Sequence, residues 1–131
     1  MRCSGFLNME KVIEELFNLS LNSHDEVPVS AIIVDENGTI ISSAVNSCEQ
    51  DDNVLSHAEI KAIDKALKIR KHSLKGCTIY VLLEPCLMCF GAILNSEISN
   101  IIYLVRNEDS GAFSYYHACL LYTSDAADEA R

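Results

Sequence analysis

The stretch TIYVLLEPCLMC, residues 78–89, decides the fold of this chain. Its apolar, aromatic and β-branched first half predicts a buried strand over 78–83. We expect Pro85 at the start of a helix, where a missing backbone N–H costs nothing. Cys86 and Cys89 are three residues apart, so on a first helical turn both thiols lie on one face. Because a helix N-terminus favours the thiolate, the pair is a candidate metal site.

Two thiolates leave a tetrahedral zinc site incomplete, and a further ligand is predicted upstream. His57 precedes a helix-like run, residues 59–72, with apolar residues at helical spacing. One histidine and two cysteines make three protein ligands and leave one position open, which is typical of a catalytic zinc. His-x-Glu followed by Pro-Cys-x-x-Cys is also the signature of zinc nucleobase deaminases. In that chemistry Glu59 is the candidate general acid and base, since protons must move from water to the ring and to the leaving amine.

Each of these residues has a simpler structural interpretation when taken alone. A histidine at a helix start is commonly a cap or a core residue, and Glu59 in a first turn is favoured by the helix dipole. A single Cys-x-x-Cys is often redox-active or half of a structural zinc site. Their joint occurrence at two strand-to-helix junctions favours the catalytic interpretation.

The composition indicates one globular domain. The chain has 131 residues, of which 49% are hydrophobic. No apolar run reaches membrane-spanning length, so we expect no membrane partner. The first residues lack the apolar core of a signal peptide, which favours a cytoplasmic location. In that compartment a local Cys-x-x-Cys indicates a metal site rather than a disulfide, and the other cysteines show no second metal spacing.

The net charge of −9 is unlike that of a general nucleic-acid binder. One basic cluster lies late in the second predicted helix and just beyond it, and two interpretations of it remain open. It is either a solvated helix C-terminus or a local RNA-facing patch. Its members are Lys65, Lys68, Arg70, Lys71, His72 and Lys75.

The order of predicted elements is α-β-β-α-β-α-β. An amphipathic helix over 6–21 and a strand over 27–34 are followed by a hairpin turn at 35–38, with Asn-Gly as its signal. A hairpin followed by βαβ-type crossovers implies a mixed sheet covered by helices on its faces. The remaining expected segments are a strand over 39–46, a polar loop over 47–53, the Cys-bearing helix, a strand over 99–105 and a loop over 106–111.

The chain resembles the bacterial-type tRNA-specific adenosine deaminases of the cytidine deaminase-like superfamily, over residues 8–113. The segments that carry the resemblance occur in the family's order. They are Glu26-Val27-Pro28-Val29, Asn46, His57-Ala58-Glu59-Ile60, Leu83-Glu84-Pro85-Cys86, Met88-Cys89, Gly91-Ala92-Ile93 and Ser110-Gly111-Ala112.

The resemblance implies a three-layer α/β/α fold with a central mixed sheet, and conversion of adenosine to inosine at the wobble position of a tRNA anticodon loop. It implies one zinc ion per subunit, a homodimer, and a tRNA anticodon stem-loop as partner. The implied site residues are Glu59 for catalysis, and for zinc His57, Cys86 and Cys89. For the substrate they are Asn46, Ala58, Leu83 and Glu84, with Leu83 and Glu84 acting through the backbone.

Several positions depart from the family pattern. Ser30 and Leu87 stand where Gly and Pro are usual, and Glu97 and Asp109 stand where basic residues are usual. The last two changes remove positive charge near the expected RNA contacts. Two alternatives therefore stay open: deamination of a free base, nucleoside or nucleotide, or a non-catalytic zinc-binding subunit. The aromatic residues Tyr115 and Tyr116 with His117 are candidates for stacking on a base or, equally, for packing.

The last segment is unlike the rest of the chain. Residues 119–129 read as the translation of a transposase-type sequencing adapter. We therefore expect a single deaminase domain over 1–118, truncated at its C-terminus, followed by a non-native tail over 119–131.

Overall fold

The computed structural model describes residues 2–25 and 27–114, with side chains from residue 9 onward. The candidate stacking residues 115–117 and the adapter-like tail lie outside the described part. The elements are α1 (Arg2–Ser20), β1 (Ser30–Val34), β2 (Ile40–Val45), α2 (Cys48–Asp51), α3 (Ala58–Arg70), β3 (Thr78–Leu83), α4 (Leu87–Asn95) and β4 (Asn100–Val105).

The four strands form one mixed sheet in the order β2-β1-β3-β4. Strand β1 is antiparallel to both β2 and β3, whereas β3 and β4 are parallel. The predicted hairpin turn joins β1 to β2: Asp35 Oδ1 accepts the N–H groups of Asn37 and Thr39, both at 2.9 Å. Gly38 has φ +81°, a conformation that favours glycine.

Helices cover both faces of the sheet. On one face Val12 and Leu16 of α1 pack against Ile32, Val34 and Tyr80. On the other face α3 and α4 bury a larger cluster against alternate residues of the same strands, since successive side chains of a strand point to opposite faces. That cluster contains Ala31, Ile33, Ala58, Ala62, Ile63, Ala66, Ile79, Val81 and Ile93. The expected three-layer α/β/α architecture is confirmed.

The strand directions decide where a site can form. Strands β2, β3 and β4 all run the same way, because β1 is antiparallel to its two neighbours. Their carboxyl ends therefore meet at one edge of the sheet. The segments that leave β2, β3 and β4 start there, and the segment that enters β1 ends there. This edge of an α/β sheet is the usual location of ligand sites.

Two local predictions were wrong. The polar segment 47–53 contains a one-turn helix, α2, whose first N–H groups are bound by a distant carboxylate, that of Asp25. Pro85 does not occupy the first helical position, because Cys86 is the N-cap and α4 begins at Leu87.

Much of the basic cluster is bound by the protein itself. Arg70 pairs with Glu36, Lys68 pairs with Asp64 at 3.2 Å, and Lys65 donates to the Ser43 carbonyl. These contacts favour the solvated-face interpretation of the cluster.

Candidate active site

Three side chains with metal-binding atoms meet at the carboxyl edge of the sheet. His57 is the N-cap of α3, and Cys86 and Cys89 are the N-cap and third residue of α4. His57 Nδ1 lies 3.7 Å from Cys86 Sγ and 3.3 Å from Cys89 Sγ. They form a group of possible metal ligands whose donor atoms all lie within 4.8 Å of one another.

These distances are close to those between neighbouring ligand atoms of a zinc site. Zinc binds sulfur at about 2.3 Å and nitrogen at about 2.0 Å, so tetrahedral geometry puts neighbouring ligand atoms about 3.5–3.8 Å apart. The donor set of one imidazole and two thiolates is also one that zinc prefers. Three protein ligands leave the fourth position for a reactant.

The pKa values of the two cysteine thiols are shifted in opposite directions. A hydrogen bond from the Cys89 thiol, aided by backbone N–H groups of α4, lowers the pKa of Cys86 to about 5 despite its partial burial. The same hydrogen bond and burial raise the pKa of Cys89. These shifts favour the thiolate form of Cys86, and both thiols must lose their protons to bind a metal ion.

Glu59 lies on the same helix N-terminus as His57. It is the second residue of α3 and is only 4% exposed. Burial raises the pKa of Glu59 above its ordinary value. A carboxyl group whose pKa is shifted towards neutrality is suited to exchange protons near pH 7.

A cavity of about 680 Å³ opens at this edge of the sheet. That volume lies in the range of small-molecule sites, roughly 300–1,000 Å³. Of the eight predicted site residues, all but the buried Cys89 line the cavity. They are Asn46, His57, Ala58, Glu59, Leu83, Glu84 and Cys86.

The side chain of Asn46 is already bound by the protein. Its Oδ1 accepts the Val29 N–H at 2.9 Å and the Ser23 hydroxyl, and its Nδ2 donates to the Val27 carbonyl at 2.6 Å. One N–H of the amide remains for a ligand. Asn46 therefore fixes the segment before β1, in addition to any contact with a substrate.

Sequence reasoning missed the residues that hold the cavity walls. Asp25 accepts the N–H groups of Cys48 and Glu49 and so joins the wall before β1 to the wall after β2. No sequence signal identifies this contact, because the partners are 23 and 24 residues apart. The segment after β4, residues 106–110, forms a third wall. Sequence reasoning identified it only as a loop.

Glu84 is 1% exposed. Its side chain forms hydrogen bonds within the protein, whereas the expected role of this residue was through its backbone. Its carboxylate accepts the Asn107 N–H at 3.1 Å, the Ser114 N–H at 2.7 Å and the Ser114 hydroxyl at 2.8 Å. Burial alone would raise the pKa of Glu84, but these hydrogen bonds from Ser114 and Asn107 lower it. Glu84 is therefore a charged group that ties β3 to the segment after β4.

Comparisons with known proteins agree with this geometry. A family model of the cytidine and deoxycytidylate deaminase zinc-binding region matches residues 7–105. The tRNA-specific adenosine deaminase of Rickettsia bellii (strain RML369-C) is 46% identical over 92 residues, covering 69% of this chain and 63% of that protein. The chain spans less than two thirds of the curated tRNA-specific adenosine deaminases that it matches.

Two solved structures have the same fold. One comes from a study of A-to-I editing by tRNA:A34 deaminases at the wobble position of transfer RNA. Its TM-score is 0.68 at 32% identity, covering 76% of this chain and 82% of that one. The other is guanine deaminase from Bacillus subtilis, with a TM-score of 0.61 at 29% identity, covering 85% of this chain and 69% of that one.

Proposed function

The chain belongs to the family of the cytidine and deoxycytidylate deaminase zinc-binding region, and from this we propose that it deaminates adenosine to inosine at the wobble position of a tRNA anticodon loop. The observation that carries the proposal is the meeting of His57, Cys86 and Cys89 beside Glu59 at one cavity. Glu59 favours an enzyme over a non-catalytic zinc-binding subunit, because metal binding alone has no need of a buried carboxyl group there.

The proposed chemistry is a hydrolysis. A zinc ion held by His57, Cys86 and Cys89 would supply Lewis-acid activation of a water molecule. Glu59 accepts a proton from the attacking water and delivers it to the ring nitrogen, then accepts the remaining proton of the added hydroxyl group and delivers it to the amino group, which leaves as ammonia. The adenine amine is replaced by oxygen, which gives inosine. Burial of Glu59 suits this cycle, since a raised pKa lets the carboxyl group both take and return a proton.

The choice of substrate rests on the relatives and on the cavity. Several relatives at 44–46% identity are named tRNA-specific adenosine deaminases. The cavity has room for a base turned out of a loop, in the way that base-modifying enzymes take their substrates. The remaining N–H of Asn46 is suited to an acceptor on a purine edge, with Ala58 and Leu83 lining the base site.

A second candidate is deamination of a free purine base or nucleoside. It is favoured by the similarity to a guanine deaminase. It is also favoured by the acidic cavity rim: among the described residues that line the cavity, Glu108 and Asp109 outnumber Arg106, the one lysine or arginine. A polynucleotide backbone is better matched by a basic rim.

The proposal includes a homodimer in the cytoplasm. The dimer is supported by the apolar surface of α4, where Leu87 and Leu94 are more than half exposed. On the same helix, a Cβ added to Gly91 would meet no atom of the described residues within 4 Å. A cytoplasmic location is supported by the free state of the four cysteines whose side chains the structure describes. Within residues 2–25 and 27–114, no helix has both the length and the apolar character needed to cross a bilayer.

The domain boundaries are also a proposal. We infer one deaminase domain over 1–118 and a non-native segment over 119–131. Support comes from the family match over 7–105 and from the adapter-like sequence of the last segment.

Inosine formation tests the function. The zinc-loaded chain is incubated with an anticodon stem-loop carrying adenosine at the wobble position and, separately, with free adenine, adenosine, cytosine and guanine. Inosine in the stem-loop supports the proposal. Ammonia from a free base or nucleoside, with an unmodified stem-loop, supports the second candidate. Affinity for the stem-loop should fall steeply with salt if phosphates are bound.

A further inference from the structure

The cavity wall after β4 is hydrogen-bonded to residues 84–86, the segment that ends at the candidate zinc ligand Cys86. The Glu84 N–H donates to the Val105 carbonyl at 2.8 Å, and the Ala112 N–H donates to the Pro85 carbonyl at 2.7 Å. Cys86 and Gly111 form an isolated antiparallel bridge. The chain from 105 to 112 therefore runs beside residues 84–86, which end at a candidate zinc ligand.

Between these two attachments, the wall residues 106–110 are held mainly through their own contacts and through Glu84. The Asn107 side chain bonds within the segment, donating to Ser110 Oγ at 2.8 Å and accepting the Ser110 N–H. The Asn107 backbone N–H reaches outside it, to Glu84 Oε1. Arg106, Glu108 and Asp109 are exposed and line the cavity.

Both oxygens of the buried Glu84 carboxylate are hydrogen-bonded to the segment after β4. Each of its two oxygens accepts a backbone N–H: Oε1 that of Asn107 and Oε2 that of Ser114. A Cβ added to Gly111 would overlap Glu84 Oε2 and the Asn107 carbonyl. The glycine thus lets the backbone pass directly over the carboxylate.

We propose that Glu84 is a positioning residue that holds the wall segment 106–110 at a fixed place relative to the metal ligands, and that this segment sets the affinity for the substrate. The inference rests on the proposed function. This positioning role differs from a direct substrate contact, because both carboxylate oxygens of Glu84 accept hydrogen bonds from the protein itself. Glu84 acts through the wall, whose exposed side chains face whatever enters the cavity.

The variant Glu84→Gln tests this role with almost no change in shape. Whichever way the new amide turns, its NH₂ group faces a backbone N–H, either that of Asn107 or that of Ser114. At least one hydrogen bond is replaced by a contact between two donors, which releases one end of the wall. We expect the stem-loop KM to rise about tenfold, as for the loss of a charged hydrogen bond, while kcat and zinc content change little. This pattern indicates lost binding and not lost chemistry.

Hydrogen exchange gives a readout that does not depend on activity. Backbone amides of the peptide covering 106–114 should exchange faster in Glu84→Gln than in the parent, because the wall opens locally. Glu36→Gln is the matched control: it makes the same chemical change at an ion pair with Arg70, far from the cavity. It should leave KM and the exchange of 106–114 unchanged. If Glu84→Gln does not fold, Ser114→Ala removes one hydroxyl donor to Glu84 and should raise KM by about threefold.

The outcomes separate the inference from the proposed function. Faster exchange of 106–114 with an unchanged KM in an active enzyme overturns the link to affinity. Unchanged exchange in Glu84→Gln overturns the positioning role. A parent that neither forms inosine nor binds a fluorescent stem-loop overturns the proposed function and with it the link to affinity, and the exchange result still decides the positioning role.

Discussion

Replacing Glu59 with glutamine should abolish most of the activity without removing the metal. Glutamine has nearly the shape of glutamate but neither accepts nor donates a proton at neutral pH. Glu59 is the second residue of α3, and its substitution leaves the backbone of the N-cap residue His57 in place. Cys86 and Cys89 belong to another helix and are unchanged. The perturbation therefore removes proton transfer by this side chain and its interaction with the Cys89 thiol, while all three candidate metal ligands remain.

The size of the effect follows from the position of Glu59. General acid–base catalysis contributes about 10²–10⁴-fold to a rate, or about 3–5 kcal/mol of barrier. The carboxyl group is only 4% exposed, so bulk water cannot readily replace it. It is also assigned protons both at attack and at departure of the amine. We therefore expect a loss of kcat near the upper end, about 10³–10⁴-fold.

The measurement is single-turnover inosine formation on the stem-loop, with zinc content determined on the same samples. Glu49→Gln is the matched control, because Glu49 also lies in a helical first turn but is exposed. It should retain the parent rate. A Glu59→Gln enzyme that holds one zinc ion and keeps more than about a tenth of the parent kcat would refute the role of Glu59 as the general acid and base.

Three further substitutions and one DNA sequence determination have specific expected outcomes. The Cys86→Ser variant should lose zinc and have a lower Tm, since a metal ion at a free concentration of about a hundredfold its Kd adds about 2.7 kcal/mol to the free energy of unfolding. Elemental analysis measures the zinc content, and thermal unfolding measures the Tm. Asn46→Ala should lower the free energy of chemical unfolding by about 1–2 kcal/mol even without substrate, because the partly buried Val29 N–H and Ser23 hydroxyl lose their acceptor. The Arg70 hydrogen bond lowers the pKa of Glu36 to about 2 from 4.5. Its contribution to stability is thus present above pH 4.5 and lost as the pH falls towards 2, and Glu36→Gln should flatten acid unfolding over that range. Sequencing intact genomic DNA across residues 119–129 should give other codons, and recovery of the same codons would show the segment to be natural.

The elements of the fold were predictable because their signals are local. The strand at 78–83 was predicted with the bounds that the structure has, from a short apolar run that ends at Glu-Pro. The hairpin followed from Asn-Gly, and the helix that starts at Ala58 from its apolar spacing. The candidate metal ligands, which the structure brings together, have equally local signals, since each lies within one turn of a helix start.

The walls of the cavity were not predictable, because long-range polar contacts hold them. Asp25 binds the start of α2 from 23 residues away, and Glu84 binds Ser114 from 30 residues away. A single acidic residue in a polar segment has no feature that identifies its distant partner. The helix α2 was missed for the same reason: its four residues have no helical pattern, and its N-terminal N–H groups are bound from outside.

This difference explains why the chemistry of the chain is easier to infer than its substrate. The zinc ligands and Glu59 stand at the N-termini of two helices whose positions are set by the directions of β2 and β3. The cavity is lined by those residues and also by three wall segments whose positions depend on the contacts of Asp25, Asn46 and Glu84. Changes in those segments alter charge and shape at the rim while the helix starts stay in place. The same fold occurs in a tRNA:A34 deaminase and in a guanine deaminase, so the rim must be tested by binding as well as by turnover.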